Sequence, residues 1–326
     1  MEVAAVVFRQ ICMMALMVCA GALLARFSHL DMEGSRQMSV VLTGPVTACV
    51  ILCSFLDVEA STENLKLLLI AWGLCLTGHL IAIALSGILF RRQTREQKAV
   101  SSFALTFTNN GFLGIPLVMA VCGSRGVFFA SAGIMISNAL TWSYGVSLFQ
   151  KPGKGVWKQL AKQPTLWAVC IGSAVFLLRL LVPAAETPPA AVQAILSPIS
   201  SVLSTVAAMN TPLAMIVMGI NLYYAGILKA FRTPKCYLLT FLRQLFIPAV
   251  MLLILRLIPV YDRDLLLSVL LISSCPCALL TSILAVQYGS ARQQTEAAHT
   301  VVTATMLAPL TIPVMAWLGS LVLSFA

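Results

Sequence analysis

Phe107-Thr-Asn-Asn-Gly-Phe-Leu-Gly-Ile-Pro116 carries two asparagines, two glycines and a proline inside an otherwise apolar stretch. Asn and Gly are weak helix formers, and proline removes a backbone donor and clashes one turn back. On either side of this stretch the chain is apolar for long distances. Of its 326 residues 60% are hydrophobic and 10% charged, with a mean hydropathy of +0.95. Soluble domains run at about 45–50% apolar and 25% charged, so the chain falls in the membrane class. A helix needs about 20 largely apolar residues to cross the hydrocarbon core. That window places ten spans, roughly 3–25, 38–56, 65–90, 99–122, 127–149, 164–183, 192–224, 235–258, 264–288 and 297–323. The alternating ten-residue strands of an outer-membrane barrel do not occur. The start, MEVAAVVFRQ, has Glu2 and no basic n-region, so span 1 reads as a retained helix and not a signal peptide.

The net charge of +10 could point to nucleic acid, but its distribution does not. With the N-terminus outside, the cytoplasmic loops hold fourteen Lys and Arg residues and the outer loops three: Lys66, Arg125 and Arg263. This is the positive-inside bias, and it predicts an even number of spans with both termini on the non-cytoplasmic side. The ten cysteines are scattered through the spans as small apolar fillers, with no disulfide spacing.

The two halves share a spacing. Gly44-Pro45 interrupts span 2 and Thr211-Pro212 interrupts span 7. Sixty-four residues after Pro45 stands Asn109; sixty-three after Pro212 stands Cys275, in Ser274-Cys-Pro-Cys277. Fourteen residues beyond each of these comes Gly123-Ser or Gly289-Ser. The period is about 166 residues, or five spans. Five is odd, so the second copy must be inverted, an arrangement common in secondary transporters. The division is 1–149 for the first repeat, 150–163 for a basic cytoplasmic linker and 164–326 for the second repeat. Non-helical backbone survives at membrane depth only inside protein or beside water. Two broken helices crossing near the midplane would offer helix ends there, and an N-terminal end suits an anion. The fold class is therefore an all-α membrane protein of ten transmembrane helices, a 5+5 inverted repeat with two broken crossing helices.

NNGFLGIPL at 109–117, SNALTWSYGVSLF at 137–149, TPLAMIVMGINL at 211–222 and APLTIP at 308–313 resemble the auxin efflux carrier (PIN-like) family along essentially the whole chain. The resemblance implies a bile-acid-symporter-like fold. Spans 1, 2, 6 and 7 would be the scaffold, and spans 3–5 with 8–10 a transport domain that moves as an elevator. It implies a carboxylate solute at the crossing of spans 4 and 9. The family's crossing asparagine falls on Asn109, its crossing proline in span 9 on Pro276, and its site-facing polar residue of span 5 on Asn138. Thr281 stands where the plant carriers have a second proline, and the linker is short. Both departures favour a bacterial organic-anion carrier of the inner membrane over an auxin carrier.

The expected site is Asn109, Asn110 and Asn138 as hydrogen-bonding partners, with Thr211, Cys275 and Thr281 as further solute-binding candidates and Pro116 and Pro276 keeping the helix ends open. All eleven Asp and Glu lie in loops or at span ends, so there is no buried carboxylate relay. Arg243 and His79 are the mid-span ionisable residues. Arg243 either attracts an anion or caps carbonyls freed at a break, and His79 titrates in the range of a coupling proton. The solute would be a mono- or dicarboxylate such as malate, malonate or an auxin-like acid. The expected partners are that solute and the lipid bilayer, with no nucleic acid, and a homodimer is compatible with the elevator class. No cofactor, bound metal or enzymatic motif is expected; a coupling proton or sodium ion fits the class. The alternatives are a cation-coupled symporter of another small solute and a soft-metal carrier using Cys275-Pro276-Cys277.

Overall fold

The computed structural model describes residues 2–28, 30–150, 156–181, 190–225 and 230–323, and every regular element among them is helical. In chain order these are α1 (Glu2–Phe27), α2 (Met32–Val41), α3 (Thr47–Asp57), α4 (Thr62–Leu89), α5 (Arg95–Thr106), α6 (Ile115–Leu140), α7 (Val146–Phe149) and α8 (Val156–Ala161), the last inside the basic linker. There follow α9 (Pro164–Leu181), α10 (Ala190–Ala208), α11 (Asn210–Ala225), α12 (Pro234–Phe241), α13 (Ile247–Leu257), α14 (Arg263–Ser274), α15 (Leu280–Tyr288) and α16 (Ala291–Val322). Single π turns at Leu42–Val46, Thr141–Gly145 and Leu242–Phe246 join α2 to α3, α6 to α7 and α12 to α13. Eight of the resulting described helices are long and apolar enough to cross a membrane.

The helix starts follow local chemistry. Side chains of Asp31, Ser61, Thr94 and Asp262 accept from backbone N–H groups of the first turns of α2, α4, α5 and α14, which satisfies donors that have no intrahelical partner. Ser290 and Gln293 form a reciprocal capping box at the head of α16. The interior is held by aromatic packing where α3, α6 and α9 meet. Phe55 stands edge-on to Phe128 at 4.9 Å, and Phe128 lies 5.2 Å from Phe176.

Three sequence expectations shift. The span 192–224 is two helices, divided at Met209. Spans 99–122 and 127–149 do not match the helix ends: Asn110–Phe149 forms one apolar run. Within it Gly123, at φ +62° and ψ −159°, turns the chain between two helical arms, a conformation only glycine adopts cheaply. Pro116 does not break its helix. It follows closely on the π turn Asn110–Gly114, and the helical run continues through it. The break lies earlier, at Phe107–Asn109, where Phe107 is extended (φ −104°, ψ 129°).

α1 and α11 cross closely because glycines face the opposing backbone. A Cβ on Gly219 would sit 2.1 Å from the Val18 carbonyl oxygen, and one on Gly21 would sit 2.3 Å from that of Ile216. Small residues allow such approach between membrane helices. Gly219→Ala should therefore destabilise the fold by about 1–3 kcal/mol. Gly73→Ala, which would meet nothing within 4 Å, should be neutral or stabilising. Thermal denaturation of the purified variants followed by size-exclusion chromatography compares the two.

Candidate functional site

The two breaks meet. Thr108 and Cys277 form an isolated antiparallel β-bridge. Beside it the Asn109 N–H donates to the Pro276 carbonyl at 2.8 Å, and the Ala278 N–H donates to the Phe107 carbonyl at 2.9 Å. The residues that interrupt α5 and α14 therefore satisfy one another's backbone groups. The chain restarts at once: Leu113 and Gly114 N–H both donate to the Asn109 carbonyl, opening the π turn Asn110–Gly114 that leads into α6.

Arg243 closes the other side of the crossing. Its Nη1 donates to the Leu105 carbonyl at 3.1 Å and its Nη2 to the Ser273 carbonyl at 2.8 Å. These are carbonyls in the last turns of α5 and α14, which a broken helix leaves without partners. Arg243 is 4% exposed, and no carboxylate pairs with it among the described residues. The two helix C-termini, worth about half a negative charge each, stand in for one. Of the two roles open from sequence, the capping role is the one these contacts show.

The candidate residues are placed as follows. Asn109 and Asn110 are 2% and 5% exposed, and the side-chain nitrogen of each is buried without a hydrogen-bond partner. The Asn110 oxygen accepts from the Thr108 hydroxyl, which leaves its amino group facing outward from that pair. Cys275 and Pro276 are buried at the crossing, and a Cβ on Gly114 would come within 3.6 Å of the Cys275 sulfur. α11, which carries Thr211, packs on the π turn Asn110–Gly114. Asn138 is half-buried and donates to the Thr165 hydroxyl at 3.0 Å. The Thr281 hydroxyl is buried and donates to the Ala278 carbonyl at 2.7 Å, closing the turn that restarts α15. Among the described residues no three His, Cys, Asp or Glu side chains are placed to share a metal ion.

Sequence reading missed Thr106, Thr108 and Ser273. With His79 and Arg243 these line a cavity of about 30 Å³ beside the crossing. Thr106 and Ser273 lie in the helix turns before the breaks and Thr108 in the break itself, and isolated Ser and Thr residues are ordinary in membrane helices. Only their convergence on one space marks them.

The ends of the crossing helices are tied down in matching ways. At one end Arg125, two residues past Gly123, pairs with Asp262 at 2.7 Å and Asp264 at 3.4 Å, at the head of α14. At the opposite end Ser290 and Gln293, just past Gly289, bond to Glu96 at the head of α5 at 3.2 and 3.1 Å. The Ser124 hydroxyl also donates to Asp57 at the end of α3, at 2.6 Å.

A family described as membrane transport protein matches residues 6–156 and 153–316. The chain belongs to this membrane transport protein family. The assignment agrees with the resemblance to the auxin efflux carriers, and it makes the chain a multi-pass transporter of a small solute working in a lipid environment. No curated protein matches the chain. For this transporter the crossing is a structural necessity before it is a site. Arg243→Gln should leave at least one of the two carbonyls unsatisfied, at about 1–3 kcal/mol each, and Arg243→Lys, which lacks the planar fork, should not restore both. Arg125→Gln, whose partner pairs are part-exposed, should cost less than about 1 kcal/mol. Thermal stability in detergent ranks the three.

Proposed function

We propose that this transporter is a secondary carrier of a small organic anion, a carboxylate or dicarboxylate of the malate, malonate or auxin-like kind. It would work by elevator-type alternating access. The observation that carries the reading is the pair of buried, unpartnered amide nitrogens of Asn109 and Asn110 at the crossing. A buried donor left without an acceptor costs about 1–3 kcal/mol. A carboxylate presents acceptors only and would satisfy both donors at once. The start of the π turn Asn110–Gly114 and α6 lies beside them and contributes the partial positive charge of a helix N-terminus. Cys275 and Thr211, close by on α14's continuation and on α11, would complete the wall of the site, and Asn138 and Thr281 would join it in a conformer that releases their present partners.

The matching ties at Gly123-Ser-Arg125 and Gly289-Ser290 support an inverted repeat of five spans per half, because each tip bonds to the head of the other half's broken helix. In that arrangement α1, α2–α3, α9 and α10–α11 form the scaffold, and the crossing belongs to a domain that slides against it. The Ser124–Asp57 bond then lies between the two bodies. The charge distribution favours a bacterial inner membrane with both termini outside, and a homodimer suits a scaffold that must stay fixed in the bilayer. Inward attraction of a solute anion by Arg243 is not needed, because that side chain is engaged with carbonyls.

In proteoliposomes, Asn109→Ala should lower carboxylate transport by about 10- to 100-fold while the protein remains folded, since its side-chain nitrogen bonds nothing in the protein. Asn109→Asp, nearly the same shape but anionic, should be no better. Wild-type uptake by both variants would falsify the site.

A further inference from the structure

The cavity lined by His79, Thr106 and Arg243 holds three buried polar atoms with no partner in the protein: His79 Nε2, Thr106 Oγ1 and Arg243 Nε. They come from α4, α5 and the π turn between α12 and α13. Such atoms are rare and each needs an account. Here all three belong to residues that line one space.

The chemistry of each atom narrows what that space accepts. His79 Nδ1 lies 2.8 Å from the Cys75 carbonyl oxygen, and a carbonyl only accepts, so Nδ1 keeps a proton in either state of the ring. In the neutral ring Nε2 is then an acceptor, and after protonation it is a donor. Arg243 Nε–H is always a donor, and the Thr106 hydroxyl can be either. With His79 neutral, the set of one acceptor, one donor and one hydroxyl suits water. With His79 protonated, three donors converge, and that set suits an anion.

Charge balance decides how the two states are linked. The Arg243 guanidinium is already offset by the C-terminal ends of α5 and α14. Arg243 and Cys75 are the other charged or titratable groups lining the space; its remaining walls are apolar, glycine or hydroxyl. The Phe107 ring, 6.1 Å from the His79 ring, adds no charge. A proton on Nε2 would thus be an uncompensated second positive charge beside Arg243. A monovalent anion in the cavity would compensate it. At about 30 Å³ the space takes one or two water-sized particles, which suits a halide better than a dicarboxylate solute.

We infer that His79, Thr106 and Arg243 form a site that takes up a proton and a halide-sized anion together, separate from the amides of Asn109 and Asn110. Thr108 links the two places: it lines the cavity and its hydroxyl donates to Asn110. Loading the cavity therefore acts on the amide that awaits the solute, and a proton and small anion become a coupled input to the carrier. The site stands on its own geometry and does not depend on what the crossing binds.

The test uses purified full-length protein and sodium bromide, with gluconate as the inert salt. Bromide should raise the Tm at pH 5.5 and lose that effect toward pH 8, because linkage makes the proton and anion raise each other's affinity by the same factor. The apparent bromide Kd should rise up to about tenfold per pH unit above the transition, as one linked proton requires. His79→Gln, which keeps polar character but does not titrate, should flatten that slope. Thr106→Val should weaken bromide about tenfold and keep the slope. Anomalous scattering from bromide-soaked crystals grown at pH 5.5 should place the ion between Nε2 of His79 and Nε of Arg243. Bromide-independent stability at both pH values overturns the inference, as does a His79→Gln variant with the wild-type slope. Neither result touches carboxylate transport by the wild type, so this site and the solute site fail separately.

Discussion

A peptide group buried away from water must find a partner, and in this molecule that requirement is met by crossing two broken helices. The Thr108–Cys277 bridge and its flanking hydrogen bonds give each break the partners it lost from its own helix. Neither break is tenable alone, since each unsatisfied group would cost several kcal/mol in an apolar surrounding. The positions of the candidate residues at the crossing descend from this pairing. Asn109 and Asn110 are buried because Thr108 is held against Cys277, and Arg243 is held because both helices end within its reach.

The polar groups of the interior divide into two kinds. Most are spent on structure: Arg243 on two carbonyls, Gln244 on the Ala304 carbonyl and the Thr311 hydroxyl, and Arg179 on the carbonyls of Phe55, Leu56 and Val58 at the end of α3. Asn210 donates to Thr47, which brings the second pair of interrupted helices, at Gly44-Pro45 and Thr211-Pro212, into contact as well. Nine buried side-chain atoms among the described residues are unspent; Ser102, Asn210, Ser268 and Thr305 hold one each, and the other five belong to residues at the crossing. Amide donors lie on one side, and a histidine, a threonine and the third guanidinium nitrogen lie on the other. A transporter needs interior polarity that the fold itself does not consume, and more than half of it here is gathered at the crossing.

Much of this was legible from residue order. Asn-Asn-Gly and Cys-Pro-Cys in apolar runs are visible as helix breakers, and their equal distance from Gly44-Pro45 and Thr211-Pro212 marks them as counterparts. The place of the break was harder to read. Pro116 looks like the breaker, yet the helical run that starts at the π turn continues through it, and the chain leaves the helix at Phe107. Breaker residues say that a helix fails nearby; which peptide leaves it depends on where an external partner waits, and that partner is 167–171 residues away. Asn138 shows the same limit. Its polarity in span 5 is plain, but its bond to Thr165 comes from packing between helices.

The sequence alone determined that this is a helical membrane protein with interrupted spans, because apolar length, breaker residues and loop charge act locally and need no partner to be read. It also determined that the interruptions are paired, since spacing survives in one dimension. The tertiary structure decided what the paired breaks do. It showed that they bond to each other, that Arg243 caps both, and that hydroxyls of no special local character converge with His79 on one small cavity. Those outcomes rest on distances between side chains from different helices, set by how whole helices pack and not by any property a single residue carries.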